Sequence, residues 1–383
     1  MLLYRLTRLR RLVWIINLFT YQFPAEELVF LFLNPIQLRG PMTEEYVLIT
    51  GANGEIGQSL IEYMCTHTNK RVIALDISPA CKSMEKFCHK FVQGNILDEQ
   101  LLKELFEEYC FSTIFHLASL LSTRAEQVPG LAQKVNVQGT FNLLELSTKQ
   151  FDLTQKAAMF IYPSSIAVYG LPDIKIKNDA HPIKENEYLT PITLYGVHKL
   201  ACENLGNYFA NNYQLLEDNF RPGKIDFRCL RFPGLISANT IPTGGTSDYG
   251  PEMLHHAAQN QPYACFVRPD ATLPFMVMPD AVRSILMLSE ARKSDLTQSV
   301  YNVTSFNPSA KQLKEITLNA FPNADIHHDI HKARQHIVDS WPKDVDDRKA
   351  RSDWGWRPKY SLDVAFNDYL IPSIRQRYSK ETA

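Results

Sequence analysis

From Tyr46 onward, hydrophobic and polar residues follow two alternating patterns. Short apolar runs, typical of buried strands, are separated by longer stretches in which apolar residues recur every three or four positions, as in amphipathic helices. The helical spacing is clear in Ile56, Leu60, Ile61 and Met64. We predict strands at 46–50, 71–76, 90–93, 113–116, 159–163 and 225–231, and helices at 55–65, 98–109, 132–148 and 193–213.

This alternation predicts an α/β fold. Strands separated by helices of this length form β-α-β units, which build a Rossmann-type doubly wound parallel sheet with helices on both faces. The rhythm ends after Pro233, where Pro, Gly, Ser and Thr are concentrated at 242–251 and predict a long functional loop. The later segments 300–303, 310–321 and 362–371 predict a small C-terminal mixed α/β cap.

Residues 1–41 form an extension that differs from the rest of the chain. Its four arginines precede an apolar run at 12–23 that is too short to span a bilayer. Arginines without early acidic residues are typical of a mitochondrial transit peptide, although serine is scarce. Alternatively, translation starts at Met42 and the extension is a start-site artefact, which is the interpretation we favour. A membrane anchor is the least favoured, and we expect no stable membrane association.

Composition narrows the function further. The chain of 383 residues has 45% hydrophobic and 21% charged residues and a formal net charge of −1, as in a soluble globular protein. Without a basic stripe beyond the N-terminus, nucleic acid is not an expected partner. The seven cysteines form no Cys-x-x-Cys pair and predict reduced thiols, in the cytoplasm or, if 1–41 is a transit peptide, in the mitochondrial matrix.

We predict no metal site. The four histidines in the segment 327–336 include helical spacings, but no His-Glu-x-x-His motif is present. A solvated polar surface is the expected structure there.

The strongest local motif contains Gly51, Gly54 and Gly57, which follow a predicted strand and begin a helix. Glycines in this pattern permit a tight turn, let the backbone approach a diphosphate and allow close packing of helix on strand. The first helical turn then offers free N–H groups and a positive dipole end to the phosphates. The candidate cofactor-binding residues here are Gly51, Asn53, Gly54, Glu55, Ile56 and Gly57.

Asp76 indicates which dinucleotide binds. It ends the second predicted strand, 19 residues after Gly57, where a carboxylate accepts hydrogen bonds from the adenosine ribose. A carboxylate repels the 2′-phosphate of NADP, and residues 77–79 contain no arginine that could bind it. The sequence therefore predicts NAD as the cofactor and 42–232 as an NAD-binding domain.

Tyr195 and Lys199 are four residues apart, so they lie on one face of a predicted helix. A free phenol has a pKa of about 10, which is too high for a base at neutral pH. A nearby ammonium group and an oxidised nicotinamide both favour the phenolate. At the end of the fifth strand, Ser164 and Ser165 provide hydroxyl groups where ligands bind in such folds. One of them could orient a substrate hydroxyl.

These three motifs, in this order, resemble the extended short-chain dehydrogenase/reductase family. The resemblance implies that Ser165 is the hydroxyl-holding serine and that Lys199 also holds the nicotinamide ribose. Asn136 matches an asparagine of the family's long helix, whereas Asn95 stands where many relatives have aspartate. The resemblance implies these further cofactor-binding residues: Asn95, Ile96, Leu117, Ala118, Ser119, Tyr195 and Lys199.

Downstream motifs indicate the subgroup. Gly244-Gly-Thr-Ser-Asp-Tyr249 and Asp339-Ser-Trp-Pro342 resemble the L-threonine 3-dehydrogenases of the short-chain type. Sugar-nucleotide epimerases of the superfamily usually carry an asparagine after the sixth strand, in a stretch that reads Leu230-Arg-Phe-Pro-Gly here. The resemblance implies substrate binding by Ser122, Ser165, Tyr195, Thr246, Ser247 and Asp248. We infer that Asp248 would bind the substrate ammonium group.

The expected function is therefore NAD-dependent oxidation of L-threonine at C3 to L-2-amino-3-oxobutanoate, in threonine catabolism. Residues 233–383 would then form mainly a substrate-binding cap, with some segments returning to the Rossmann core. The alternatives are a sugar-nucleotide epimerase or dehydratase, another extended dehydrogenase, and a non-catalytic NAD-sensing protein. The resemblance also implies a homodimer formed through the helices at 132–148 and 193–213.

Overall fold

The computed structural model describes residues 44–81, 84–242 and 244–381, so the predictions for 1–41 lie outside the described residues. The strands of this part of the chain are β1 (Tyr46–Thr50), β2 (Arg71–Asp76), β3 (Lys90–Gln93), β4 (Phe111–His116), β5 (Ala158–Ser165), β6 (Ile225–Phe232), β7 (Gly234–Ile236), β8 (Tyr263–Cys265), β9 (Phe275–Val277), β10 (Val300–Asn302) and β11 (Ile326–His328). Seven of them form one sheet in the order β10-β6-β5-β4-β1-β2-β3. Every neighbouring pair in this sheet is parallel. The predicted α/β fold is confirmed.

The α-helices of the described residues are α1 (Glu55–His67), α2 (Glu99–Glu108), α3 (Ser122–Gln127), α4 (Pro129–Gln133), α5 (Gly139–Thr154), α6 (Ile174–Asp179), α7 (Leu194–Asn211), α8 (Tyr249–Ala258), α9 (Met278–Glu290), α10 (Ala310–Ala320), α11 (Lys332–Ser340), α12 (Arg348–Trp354), α13 (Leu362–Val364) and α14 (Ile371–Glu381). None of them is long and apolar enough to cross a membrane. Side chains at helix starts fix some of their positions. Asp98 accepts a hydrogen bond from the Leu101 N–H at α2, and Thr193 accepts one from the Gly196 N–H at α7.

Alternating side chains of the strands feed two cores, one on each face of the sheet. Val47 and Ile49 of β1 pack in the same core as Leu60 of α1 and Ile285 of α9. Leu48, between them, belongs to the opposite core, where the strands pack against α2, α5 and α7. The sheet is therefore buried on both faces, as a doubly wound fold requires.

A third core lies in the C-terminal part. It joins Tyr249, Met253 and Leu254 of α8 with residues of α10, α11 and the C-terminal helices. Two small parallel sheets, β7 with β9 and β8 with β11, support this part of the chain. This core also includes residues of Ile166–Leu171 and Ile183, so the C-terminal part packs against the segment that follows β5.

β10 differs from the prediction that 300–303 belongs to the cap. Val300, Tyr301 and Asn302 pair with β6 and form the edge strand of the main sheet. Tyr301 is buried there and meets the ring of Trp354 edge to face, with 6.0 Å between centroids. A three-residue apolar run does not reveal which sheet it will join, since that depends on tertiary packing.

The single helix predicted at 132–148 is instead three segments. α4 ends at Gln133, a π-helical turn spans Lys134–Gln138, and α5 continues from Gly139 to Thr154. A π turn inserts one extra residue and is common at functional sites. Here it contains Asn136, whose contacts are described below.

Candidate active site

The turn between β1 and α1 requires two of its glycines. Gly51 has a φ of 68°, and a Cβ there would lie 2.7 Å from the Ala118 nitrogen. A Cβ on Gly57 would lie 2.6 Å from the Ala52 carbonyl oxygen. The backbone is therefore packed too closely for side chains at these two positions. The N–H groups in the first turn of α1 have no carbonyl acceptor within the helix. They are therefore available to an anion, and the turn fits a diphosphate.

Asp76 is positioned at the end of β2 by backbone N–H groups. Its Oδ2 accepts from the Asn53 nitrogen and its Oδ1 from the Ser78 nitrogen, both at 2.9 Å. The Asn53 side chain donates to the Ser78 and Pro79 carbonyl oxygens and joins the two loops. The carboxylate is thus held beside the glycine turn, as an acid that binds ribose hydroxyls must be.

The residues predicted near the adenine occupy two environments. The Asn95 Oδ1 accepts a hydrogen bond from the Leu97 N–H at 3.0 Å, beside the end of β3. Ile96 is buried, and a Cβ on Gly139 would lie 2.4 Å from its Cδ1. Its side chain therefore packs against α5. Asn95 is the more accessible of the two.

The end of β4 abuts the glycine turn. The Leu117 N–H donates to the Thr50 carbonyl oxygen at 3.1 Å, and Ala118 limits the space around Gly51. Asn136 then holds the following residues: its Oδ1 accepts from Leu120 N–H at 2.7 Å and from Ser119 Oγ at 3.1 Å. Its amide nitrogen donates to the Leu120 carbonyl oxygen. The π turn therefore holds Ser119 and Leu120, which follow Leu117 and Ala118 beside the candidate cofactor site.

A buried chain of hydrogen bonds that sequence reasoning missed lies behind these loops. The His116 Nδ1 is 2.7 Å from Thr50 Oγ1, and its Nε2 is 3.0 Å from Thr140 Oγ1. The Thr140 proton is directed to the Asn136 carbonyl oxygen, so His116 Nε2 donates and Nδ1 accepts. Burial lowers the His116 pKa to about 3, and the charge of Lys199 acts in the same direction. His116 is therefore a neutral structural link.

The two serines at the end of β5 differ. Ser164 is buried, and its hydroxyl has no hydrogen-bond partner among the described residues. Ser165 is half-buried, and its Oγ accepts from the Ala167 N–H at 3.2 Å. This single acceptor bond leaves the Ser165 proton available to a ligand, as the predicted role requires.

α7 brings Tyr195 and Lys199 to the same place. A Cβ on Gly196 would lie 2.0 Å from the Ala167 carbonyl oxygen, so the start of α7 packs directly on the segment after Ser165. Lys199 Nζ donates to the Pro163 carbonyl oxygen at 2.7 Å and lies 5.5 Å from the centroid of the Tyr195 ring. The Tyr195 hydroxyl makes no hydrogen bond with the described residues. The structure thus brings Ser165, Tyr195 and Lys199 together.

The pKa values of this pair reflect burial. Burial raises the pKa of the Tyr195 phenol. Burial also lowers the Lys199 pKa to about 8, and the nearby Cys202, Cys229 and Glu203 partly offset this change. The lowering of the tyrosine pKa that the spacing predicts is therefore absent from this state, because desolvation by burial raises that pKa.

α3 connects the predicted substrate residues to α7. Glu126 accepts a hydrogen bond from the Leu194 N–H at 2.8 Å, directly before Tyr195. Thr123 donates to the Gly244 carbonyl oxygen at 2.7 Å. Ser122, the first residue of this helix, therefore lies beside both α7 and the segment from Gly244.

The residues after Gly244 line the same region. Arg334 of α11 donates to the Gly244 carbonyl oxygen at 3.0 Å, opposite Thr123. Thr246 is buried, and Asp248 Oδ2 accepts from the Gly245 N–H at 2.6 Å. The Asp248 Oδ1 accepts no hydrogen bond from a described residue. Thr123 and Arg334 were missed because nothing in their local sequence indicates a partner more than 80 residues away.

Ser247 lies beside Gly234, the residue after Pro233. A Cβ on Gly234 would lie 3.2 Å from the Ser247 Cβ and 2.6 Å from the Phe275 ring. Ser247 therefore lies near the carboxyl end of β6. The space beside Gly234 is filled by the Ser247 and Phe275 side chains.

Comparisons with known proteins identify relatives of the whole chain. The chain is 32% identical over 320 residues to L-threonine 3-dehydrogenase, mitochondrial, of Bos taurus, which covers 83% of this chain and 80% of the bovine protein. It is similar to the L-threonine dehydrogenase structure from Clostridium difficile, with a TM-score of 0.75, 30% identity and coverage of 87% and 98% of the two chains. A monomeric L-threonine 3-dehydrogenase from a metagenome database gives a TM-score of 0.73 and 32% identity, and covers 86% and 99%.

A family model also matches more than half of the chain. Residues 47–304 match the model described as the NAD dependent epimerase/dehydratase family. This range includes the glycine turn, Asp76, both serines and the Tyr195–Lys199 pair. The chain belongs to the NAD dependent epimerase/dehydratase family.

Proposed function

We propose that the protein oxidises L-threonine at C3 with NAD, giving L-2-amino-3-oxobutanoate and NADH. One observation carries the proposal: Tyr195, with a hydroxyl that has no hydrogen bond to the described residues, lies on the helix turn that packs against the segment after Ser165. The L-threonine dehydrogenases named above, which cover most of this chain, support threonine as the substrate.

NAD would be held by the elements at the carboxyl end of the sheet. The first turn of α1 would bind the diphosphate, Asp76 the adenosine ribose, and Lys199 the nicotinamide ribose. Both Asp76 oxygens already accept backbone N–H groups, so the carboxylate is preorganised. When bound, NAD supplies the hydride acceptor.

The residues of this chain would handle the substrate proton. Ser165 would donate to the C3 hydroxyl oxygen and orient it, while the Tyr195 phenolate accepts the hydroxyl proton. Because burial raises the Tyr195 pKa, this role depends on positive charge beside the phenol. Lys199 is one source of that charge and the oxidised nicotinamide ring is the other. Most of the acceleration would come from positioning and preorganised charge.

The charged ends of threonine need separate partners. Ser122, Thr246 and Ser247 offer hydroxyl donors that could bind the carboxylate. Asp248 uses Oδ2 for Gly245, which leaves Oδ1 for the ammonium group. These assignments place a small zwitterion between α3 and the start of α8.

A sugar-nucleotide epimerase is the closest alternative, followed by other extended dehydrogenases. Phe275 and Ser247 occupy the space beside Gly234, which disfavours a site that needs a larger polar side chain there. A non-catalytic NAD-sensing protein would not require Tyr195, Lys199 and Ser165 to be brought together. The epimerase and the NAD-sensing protein are therefore less well supported than a threonine dehydrogenase.

The proposal is tested by following NADH formation spectrophotometrically, with one candidate substrate at a time. The substrates are L-threonine, L-allo-threonine, L-serine and UDP-sugars, each with NAD and with NADP. We expect turnover with L-threonine and NAD. Activity on a sugar nucleotide without activity on threonine would overturn the assignment, and equal rates with NADP would refute the role of Asp76.

We also propose a homodimer formed through α4, α5 and α7. The outer surfaces of these helices expose apolar side chains, including Leu131 (46% exposed), Val197 (45%) and Tyr208 (44%). Apolar residues gathered on adjacent helices are typical of an interface. The relative from a metagenome database is described as monomeric. Membership of the family therefore does not by itself predict a dimer.

A further inference from the structure

Glu55 is the first residue of α1, so its carboxylate starts beside the N–H groups that would bind the diphosphate. Instead of turning onto these groups, both of its oxygens accept hydrogen bonds from another segment. The Ser237 hydroxyl donates to Oε1, and the Thr240 hydroxyl donates to Oε2 at 2.5 Å. Within the described part of the chain, Glu55 makes no ion pair.

The Ser237 hydroxyl is fixed by its own surroundings. Ser237 Oγ accepts from the Asn239 N–H at 2.9 Å and from the Thr240 N–H at 3.2 Å, so its single proton is directed to Glu55. Arg377 donates to the Asn239 carbonyl oxygen at 2.7 Å. His255 Nε2 lies 3.4 Å from the Ser237 carbonyl oxygen. The buried Ser237 is therefore the fixed donor to the carboxylate, and the exposed Thr240 adds a second hydrogen bond.

The position of this charge matters because a helix N-terminus attracts any anion. A carboxylate without these restraints would be drawn to the N–H groups of its own helix. There it would compete with a diphosphate for the same donors and repel its negative charge. The two hydrogen bonds prevent this competition.

We propose that Ser237 and Thr240 restrain the Glu55 carboxylate so that the diphosphate position on α1 stays open, which makes these three residues determinants of dinucleotide affinity. The inference rests on the proposed NAD-dependent function. It assigns a role to a link between residues 182 positions apart, which joins the nucleotide-binding helix to the segment after β7.

The test is calorimetric titration of the wild type and three variants with NADH, ADP-ribose and adenosine. Removing both hydroxyls (Ser237→Ala with Thr240→Val) should weaken NADH and ADP-ribose binding by roughly three- to tenfold, as expected for one added charge repulsion. Adenosine, which lacks the diphosphate, should bind equally well. Adding Glu55→Gln to this double variant should restore the affinity, because it removes the competing charge.

The effect should also shrink in about 1 M salt, where the Debye length is about 3 Å. Asp353 offers a control, since it also accepts from hydroxyl groups, those of Thr297, Ser352 and Tyr301, and the first two can be removed in the same way. Thr297→Val with Ser352→Ala should leave dinucleotide affinity unchanged.

If the triple variant binds as weakly as the double variant, the loss is structural and the inference is wrong. The inference is also wrong if the wild type binds ADP-ribose and the double variant binds NADH and ADP-ribose equally tightly. A wild type that binds none of the dinucleotide ligands would instead refute the proposed NAD-dependent function.

Discussion

The ammonium group of Lys199 donates a hydrogen bond to the carbonyl oxygen of Pro163, with 2.7 Å between the two atoms. This bond ties α7 to the end of β5, directly before the two serines. Lys199 is almost fully buried, and its Nζ also lies 4.5 Å from the centroid of the Tyr162 ring. A buried cation held by one carbonyl and an aromatic face should lose its proton more easily than an exposed one.

The burial of Lys199 predicts a pH-dependent contribution to stability. Its pKa falls from 10.5 to about 8, so between these values the unfolded chain binds a proton that the folded chain does not. The contribution of Lys199 to the free energy of unfolding is therefore lowest below pH 8 and rises towards pH 10.5. The wild type should gain up to about 3 kcal/mol relative to Lys199→Met across this window, as measured by urea unfolding.

Lys149→Met removes an exposed ammonium group from α5 and serves as the matched control. A stability difference between the wild type and Lys199→Met that stays constant from pH 7 to about 10.5 would contradict the lowered pKa.

Tyr195→Phe removes the hydroxyl that would accept the substrate proton and leaves the ring in place. We expect kcat to fall at least about a hundredfold, the usual lower range for a lost acid-base group. The Kd for NADH should stay within about twofold of the wild type. Stopped-flow kinetics and fluorescence titration measure the two quantities.

Tyr208→Phe, on the same helix, is the control and should keep normal turnover. Full activity of the Tyr195 variant would show that another group removes the proton.

Gly196→Ala tests how closely α7 must approach β5. The added Cβ would lie 2.0 Å from the Ala167 carbonyl oxygen, so the first turn of α7 must move away from Ser165. A displacement of about 1 Å at reacting groups costs roughly a hundredfold in rate. We expect kcat to fall by this order, with a lower melting temperature as well.

Gly130→Ala adds a Cβ with no neighbour within 4 Å and should change neither quantity. Normal turnover of Gly196→Ala would mean that Ser165 and Tyr195 do not need the observed spacing.

The sheet could be predicted from sequence because parallel strands buried on both faces are continuous apolar runs. β1, β2 and β3 begin and end at the predicted residues. Asp76 and the Tyr195–Lys199 pair could also be predicted from the sequence, since their significance follows from short spacings along the chain. Their place in the active site remains a prediction.

Other features depend on contacts that local patterns do not encode. The π turn at Lys134–Gln138 follows from the hydrogen bonds of Asn136 with Leu120, which are made only in the folded chain. The partners of Glu55 are similarly remote, and no local pattern identifies Ser237. β10 joins the main sheet through only three residues, too few for a periodicity to indicate its partner.

The buried ion pair between Glu203 and Arg231 predicts a large effect on stability. Two guanidinium nitrogens of Arg231 lie 2.9 and 2.6 Å from the Glu203 carboxylate oxygens, and both side chains are buried. Glu203→Gln leaves the arginine charge without its partner, which typically costs 3–5 kcal/mol, so we expect about 3 kcal/mol or more. Urea unfolding at pH 7 measures the change.

Glu145→Gln breaks the exposed pair with Lys149 and should cost less than about 1 kcal/mol. Equal effects of the two substitutions would contradict the difference in burial. A combined Glu203→Gln and Arg231→Met variant should be more stable than Glu203→Gln alone, because the unpaired charge is then absent.

The proposed homodimer predicts that a charge on the outer surface of α7 weakens association. In a two-fold symmetric interface each substitution occurs twice, so Val197→Arg would place two arginines in the apolar contact. We expect the dimer dissociation constant to rise at least about tenfold, since burying unpaired charge is costly.

Leu216→Arg is the matched control, because Leu216 is 97% exposed and lies outside α4, α5 and α7. Sedimentation equilibrium of the wild type and both variants measures the constant. A wild type that sediments as a monomer at micromolar concentration would refute the dimer, and dissociation by both variants alike would place the interface elsewhere.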